Sequence, residues 1–173
     1  MTVKNVNIDE KVKYKGCLNS VLQYPSFELK FTNKADKRQD GWFYSALSTD
    51  YYALMSVSAD TDAENELSGE GHILAVDLLL VKKSDVQEMV RSSITEEQLK
   101  KDIEELEDEN CLDALLGWDF NKARKKYEHG KFWLTYSKKL REKPVNLVTT
   151  REVLEQLPHT KHVYVTKGKA YKK

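Results

Sequence analysis

The feature that most constrains the fold is an almost entirely apolar run at residues 72–81. A run of this length and composition is typical of a strand that is covered on both faces at the middle of a sheet. We therefore expect it to be the central core strand, with Val76, Leu78 and Leu80 buried. Its apolar members include Ile73, Leu74, Ala75, Val76, Leu78, Leu79 and Leu80.

Shorter strand signals lie on both sides of this run. Phe27, Leu29 and Phe31 alternate with polar neighbours, and that period of two predicts a strand. Residues 132–136 fit either a strand or the start of a helix. Further short strands are expected at residues 12–17, 42–44, 145–148 and 163–165.

Helix signals concentrate in the middle of the chain. Two capping-box spacings, which begin at Ser84 and at Ser93, predict two successive helices. The second of these carries a narrow apolar stripe at Leu99, Ile103 and Leu106. Other helices are expected at residues 48–57, 112–116, 119–129 and 149–157.

Length and composition favour one folded domain. A chain of 173 residues has the length of one typical domain. With 40% hydrophobic and 32% charged residues, it can form both a hydrophobic core and a solvated surface. The order of elements predicts an α+β fold. We expect a mixed, mainly antiparallel sheet in a single domain over residues 1–173, with residues 84–129 as a helical insertion.

The N-terminal residues, the apolar stretches and the spacing of Cys and His predict the compartment and the metal content. The polar start at residues 1–15 does not fit a signal peptide, and no stretch approaches the roughly 20 apolar residues of a membrane span. Synthesis in the cytosol is therefore expected, with no membrane partner. Cys17 and Cys111 are far apart, and the four histidines lack ligand spacing, so we expect no metal site.

Charge is balanced overall but divided along the chain. Residues 60–109 carry 16 acidic and 5 basic side chains, whereas residues 119–173 carry 5 acidic and 15 basic ones. Such a division indicates either regions that compensate each other in one fold or a face that binds a partner. A protein partner is expected, and the basic region 119–173 leaves nucleic acid open as another.

Several short segments carry motif-like residues in a fixed order. Tyr-Lys-Gly at residues 14–16 ends a predicted strand, and Gly-Trp-Phe-Tyr-Ser follows at residues 41–45. Tyr-Tyr-Ala lies at residues 51–53, the apolar run comes next, and Val-Asn-Leu-Val at residues 145–148 precedes a predicted helix. This order resembles the ADP-ribosyltransferase fold of the diphtheria-toxin and poly(ADP-ribose) polymerase type.

The resemblance implies a site for NAD. In that family a His and a Tyr hold the nicotinamide ribose and stack on the ring, and a Glu stabilises the oxocarbenium-like transition state. By position, Tyr44 and Asn146 correspond to the catalytic Tyr and Glu. The counterparts of the cofactor-binding residues are Lys15, Gly16, Tyr44, Ser45 and Tyr52.

Two positions depart from the family pattern. Lys15 stands where the family has His, and Asn146 stands where it has Glu. An asparagine is neutral and does not supply the field of a carboxylate. The second Tyr position falls near Met55 unless Tyr51 or Tyr52 serves instead.

Three functions fit these observations. The first is an ADP-ribosyltransferase-like toxin, effector or phage factor that modifies a protein or nucleic acid with NAD. The second is an inactive member of that fold that binds a nucleotide or a protein. The third is an unrelated inhibitor or immunity-type protein that acts by surface complementarity, through its acidic or basic face.

Overall fold

A computed structural model describes residues 7–15, 23–45, 48–59, 73–107, 125–127, 131–137, 139–166 and 169–172. The strands of this part of the chain are β1 (Ile8–Lys15), β2 (Ser26–Thr32), β3 (Arg38–Asp40), β4 (Tyr51–Ala59), β5 (Ile73–Lys82), β6 (Lys125–Tyr127), β7 (Phe132–Tyr136), β8 (Val145–Thr149), β9 (Lys161–Thr166) and β10 (Lys169–Lys172). The helices are α1 (Trp42–Ser45), α2 (Lys83–Ser93), α3 (Glu96–Glu107) and α4 (Arg151–Glu155).

The chain divides into two compact units. The first unit comprises residues 1–23, 48–87 and 151–173, and the second comprises residues 24–47 and 88–150. Each unit contains one five-stranded sheet. Helices together with mainly antiparallel sheets confirm the α+β class. The single domain over residues 1–173 stays a prediction.

The sheet of the first unit has the order β1-β4-β5-β9-β10. The strand β5 lies at its centre and pairs antiparallel with both β4 and β9. Of the remaining pairs, β9 with β10 is antiparallel and β1 with β4 is parallel. The position of β5 confirms the prediction that the apolar run forms a central strand.

The two faces of β5 differ in exposure, which corrects the predicted core. Val76, Leu78 and Leu80 are partly exposed, although the sequence predicts them to be buried. The alternate positions are buried instead: Ala75, Asp77, Leu79 and Val81. Because side chains alternate across a strand, an apolar run shows that both faces are apolar, and it does not show that both are covered.

The sheet of the second unit has the order β3-β2-β8-β7-β6, and all its neighbouring strands are antiparallel. Strands predicted near residues 27–31 and 145–148 are confirmed as β2 and β8, and residues 132–136, for which the sequence left a strand or the start of a helix open, form the strand β7. Their inward side chains form the core of this unit, which includes the fully buried Phe27, Leu29, Phe132, Leu134, Val145 and Leu147.

The two central helices begin near the predicted positions, but α3 has a different N-cap. The Thr95 hydroxyl accepts a hydrogen bond from the backbone N–H of Gln98 at 3.2 Å, as an N-cap does. Ser93 instead lies in the last turn of α2 and donates to the Met89 carbonyl at 3.0 Å. The predicted stripe of α3 is confirmed, with its members buried: Leu99, Ile103 and Leu106.

Three secondary-structure predictions are wrong. Residues 42–44 lie in the short helix α1 instead of a strand, because the Gly41 carbonyl accepts bonds from the backbone N–H groups of Tyr44 and Ser45. Residues 51–57 lie in β4 instead of a helix, with Tyr52, Ala53, Leu54 and Ser56 buried. Residues 125–127 form β6 instead of part of a helix.

Some predictions fall outside the described residues. These are the helix at residues 112–116, most of the helix at residues 119–129, and the environments of Cys17 and Cys111. Within the predicted helical insertion, residues 84–129, the described part holds α2, α3 and the strand β6.

Candidate functional site

The helix α1 of the second unit carries two of the predicted site residues, Tyr44 and Ser45. The ring of Tyr44 is partly exposed and packs edge to face on Phe43, with ring centroids 5.1 Å apart. Its hydroxyl is buried and has no hydrogen-bond partner among the described residues. Burial raises the pKa of Tyr44 to about 12, and the charges of Glu96 and Asp40 add to the rise. Ser45 is exposed, and its hydroxyl donates to the Gly41 carbonyl at 3.0 Å.

Asn146, the counterpart of the family's catalytic Glu, lies on β8 in the same unit and is partly exposed. Its neighbour Leu147 pairs with Phe27, whose ring contacts the rings of Trp42 and Phe43 in α1. Successive side chains of a strand point to opposite faces. Asn146 therefore lies on the face of the sheet opposite to the one that α1 contacts.

The other predicted site residues belong to the first unit. Lys15 is the last residue of β1, where it pairs with Ser58, and Gly16 lies outside the described residues. Tyr52 is 1% exposed and lies on the buried face of β4. The structure thus distributes the predicted residues over both units, and within the second unit it places Tyr44 and Asn146 on different elements.

A charged cluster in the first unit escaped the sequence analysis. Asp77, on the buried face of β5, accepts a hydrogen bond at its Oδ1 from Nη2 of Arg151 at 2.6 Å. Arg151, the first residue of α4, also donates from Nε to Oε1 of Glu155 at 2.6 Å. His162 on β9 completes the cluster, with its Nε2 2.9 Å from Asp77 Oδ2 and 2.9 Å from Arg151 Nη2.

The cluster holds three elements of the first unit together. The side chains of Arg151 and Asp77 are only 8% and 11% exposed, so their charges are largely removed from water. A buried charge is tolerated when it is paired and hydrogen-bonded, and both conditions are met. Arg151 and Asp77 pair directly with each other. The role that this arrangement supports is structural: it holds α4 and β9 against the central strand.

One signal in the sequence points to this cluster. Asp77 is the single charged residue between Ile73 and Val81, and a lone carboxylate inside an apolar core strand requires a cation nearby. The sequence does not show which cation, because Arg151 is 74 residues away along the chain.

The opposite face of the same sheet is apolar and is not fully covered. Strand register places on one face Val76, Leu78 and Leu80 of β5 and the residues that pair with them on β4 and β9, of which Ala53 is buried. Ile8, on the edge strand β1, is 47% exposed, and Val165, on β9 beside the edge strand β10, is 37% exposed. We call this surface the apolar face, and its partly or fully exposed members are Ile8, Tyr51, Met55, Val57, Val76, Leu78, Leu80, Val163 and Val165.

The remaining findings concern metals, membranes and related proteins. Among the described residues, no group of three or more His, Cys, Asp and Glu side chains could hold a metal ion. No helix in this part of the chain is long and apolar enough to cross a membrane. Comparison with protein-family models, with curated proteins and with solved structures finds no match to this chain.

Proposed function

We propose that this chain is a protein-binding module of the inhibitor or immunity type, and that it docks a partner protein on the apolar face of the first unit. The observation that carries this proposal is the exposure of that face. Ile8 lies on β1 and Val165 on β9, and the partly exposed Val76, Leu78 and Leu80 of β5 lie between them.

Physical considerations favour a partner over a solvated surface. Exposed β-sheet faces are normally polar, since alternation then places hydrophobic residues inward and polar residues outward. Here both faces of β5 are apolar, apart from Asp77 on the buried face and Lys82 at the end of the other. Contiguous exposed apolar patches are uncommon on monomeric proteins and mark interaction sites. A protein surface with apolar side chains of its own is the occupant that such a face fits.

The experiment compares capture by the native chain with capture by a variant of the face. The purified chain is immobilised, exposed to native cell extract, and compared with Leu78→Glu, which places a charge at the centre of the apolar face. A matched control, Lys139→Glu, changes an exposed side chain in the second unit. We expect one protein to be retained by the wild type and the control, and lost with Leu78→Glu.

The retained protein is then purified, and its dissociation constant for each variant is measured. A loss of about 10-fold or more for Leu78→Glu supports the proposal, because a buried unpaired charge is costly at an interface. Equal affinity for all three chains would place the interface elsewhere and overturn it. Retention of nucleic acid in place of protein would also overturn it, in favour of the basic region 119–173.

A second candidate function is NAD binding by an ADP-ribosyltransferase-like protein, active or inactive. Beyond the motif resemblance, one observation favours it: the ring of Tyr44 is partly exposed, so a planar ligand can stack on it. Titration of the chain with NAD tests this proposal, with Tyr44→Ala as the variant that removes the ring. Saturable binding that Tyr44→Ala abolishes would support it, and nicotinamide release would indicate an active enzyme. An absence of binding by the wild type would contradict it.

A further inference from the structure

One row of residues across the sheet of the first unit has opposite charges at its two ends. Strand register pairs Glu10 of β1 with Ala53 of β4, and Ala53 with Leu80 of β5. On the other side of β5, Leu80 pairs with Lys161 of β9. Residues paired across neighbouring strands share a face of the sheet. The row therefore crosses the apolar face from an acidic position on β1 to a basic position on β9.

The two charged positions are separated within one copy of the chain. Neighbouring strands lie about 4.8 Å apart, so β1 and β9, with two strands between them, are about 14 Å apart. Lys161 is exposed. It has no ion-pair partner within the described part of the chain. The acidic and basic ends of the row are therefore open to charges on another surface.

A two-fold axis parallel to the strands makes this row complementary to itself. When two copies pack their apolar faces together around an axis between β4 and β5, β1 of each copy lies over β9 of the other. Position 10 of each copy then faces Lys161 of the other, across the roughly 10 Å between packed sheets. A two-fold axis perpendicular to the strands instead sets like charges opposite each other, or both charges against apolar residues.

The uncharged positions of the face fit the same arrangement. Leu80 of each copy faces Ala53 of the other, so a large side chain lies against a small one, as interdigitating layers require. Lys82, at the end of the face, lies opposite Tyr51 of the other copy. There its ammonium group reaches water or lies over the aromatic ring. A second copy is therefore a suitable occupant for the apolar face.

The size of the face predicts a weak dimer. Four strands and four rows of side chains cover about 19 by 26 Å, or about 500 Å² per copy. A total of about 1,000 Å² lies at the lower limit of specific interfaces, where complexes are transient. We therefore expect a dissociation constant on the order of 10 to 100 µM.

We propose that two copies of this chain cover each other's apolar face when the partner protein is absent, with Glu10 of each copy opposite Lys161 of the other. This inference rests on the proposed docking function and describes its regulation. The second copy and the partner compete for one surface. The dimer shields the apolar face and dissociates when a tighter-binding partner is present, so the complex with the partner contains one copy of the chain.

Sedimentation velocity of the full chain, from about 1 to 200 µM, tests the dimer. We expect a shift from monomer to dimer with concentration, which Leu78→Glu abolishes. Glu10→Lys and Lys161→Glu should each weaken the dimer about 10-fold or more, because each makes two attractive charge pairs repulsive. The double variant Glu10→Lys, Lys161→Glu restores attraction with the signs exchanged, and it should dimerise within about 3-fold of the wild type. Lys139→Glu is the control and should dimerise like the wild type.

The outcomes separate this inference from the docking function. A chain that stays monomeric at every concentration would overturn the inference, and the docking function would stand if Leu78→Glu still loses the partner. A dimer that neither single charge variant weakens would also overturn the inference, because its orientation would not depend on Glu10 and Lys161. A chain that dimerises as expected but retains no partner when monomeric would overturn the docking function and leave the dimer standing.

Discussion

The two sheets of this protein differ in what they bury and in what they expose. In the first unit the buried face contains a charged cluster around Asp77, and the opposite face is apolar and partly exposed. In the second unit the core of the sheet is mostly apolar, and aromatic rings of α1 contact Phe27 on its face. Stability and function make different demands on a sheet, and under the proposed docking function the apolar face of the first unit is the functional surface.

The largest expected effect concerns the charged cluster of the first unit. Arg151→Met should lower the free energy of unfolding by about 3–5 kcal/mol, because it leaves Asp77 buried without its cation. The control is Arg38→Met in the second unit, where Arg38 pairs with Glu107, with the two side chains 32% and 24% exposed, and also donates to Thr32 Oγ1 and the Lys143 carbonyl. That pair should contribute about 1 kcal/mol or less. Urea unfolding followed by circular dichroism measures both.

A double variant separates pairing from packing. Arg151→Met combined with Asp77→Leu replaces both charges with apolar side chains of similar size, and it should recover most of the lost stability. Losses that simply add would contradict the assignment of the effect to the ion pair. Equal losses of unfolding free energy for Arg151→Met and Arg38→Met would show that the buried ion pair of the first unit contributes no more than the exposed pair of the second.

The second effect tests the two faces of β5. Leu79 is fully buried. Leu79→Ala should therefore lower the free energy of unfolding by about 2–5 kcal/mol, through the lost burial and the cavity left behind. Leu78→Ala should lose about 1 kcal/mol, because its partly exposed side chain gives up less burial. The two unfolding free energies are measured side by side. Equal losses would show that the apolar face is covered in solution, and the proposed docking surface would fail with it.

Sequence reasoning predicted the parts of the fold that rest on long, periodic segments. The central position of β5 followed from its apolar run, and the buried stripe of α3 followed from its spacing. The secondary structure of short segments was harder to predict. Residues 42–45 are aromatic and suit a strand, but their hydrogen bonds to Gly41 form a helical turn. Residues 51–57 suit a helix by composition, whereas pairing with β5 makes them a strand.

The candidate sites were harder to predict, for physical reasons. The charged cluster joins Asp77 to Arg151 and His162, and only the folded topology brings these distant residues together. The apolar face depends on which side of β5 is covered, and the sequence of a strand that is apolar on both sides does not contain that information. Asp77 was the one local clue, since a charge in a core strand requires a partner.

The third effect belongs to the second unit and concerns its buried carboxylate. Asp102 is 2% exposed, and it accepts hydrogen bonds from the Tyr127 hydroxyl and, at 2.7 Å, from Gln98 Nε2. Burial raises the pKa of Tyr127, and the bond to Asp102 raises it further, so the hydroxyl stays a donor. Tyr127→Phe should cost about 1–3 kcal/mol by removing that donor. Tyr51→Phe, at a partly exposed position of the first unit, should change stability by less than about 0.5 kcal/mol.

The relative size of these two losses sharpens the comparison between the units. If Tyr127→Phe is as neutral as Tyr51→Phe, the polar contacts of the second unit do not contribute to its stability. The charged cluster of the first unit would then contribute more to stability than the buried carboxylate of the second. The loss of unfolding free energy for Arg151→Met would exceed that for Tyr127→Phe by more than expected.

The smallest effect concerns the Tyr44 hydroxyl, which is buried without a hydrogen-bond partner in the described part of the chain. Tyr44→Phe keeps the ring on Phe43 and should leave the free energy of unfolding at neutral pH unchanged or raise it by up to about 1 kcal/mol. The pKa of Tyr44 in the folded protein is raised from 10.0 to about 12. Stability from the neutral form is therefore fully present below about pH 10 and is lost as the pH rises toward about 12. Urea unfolding near pH 8, 10 and 11 should show the wild type falling progressively behind the variant, and a constant difference would contradict the burial of this hydroxyl.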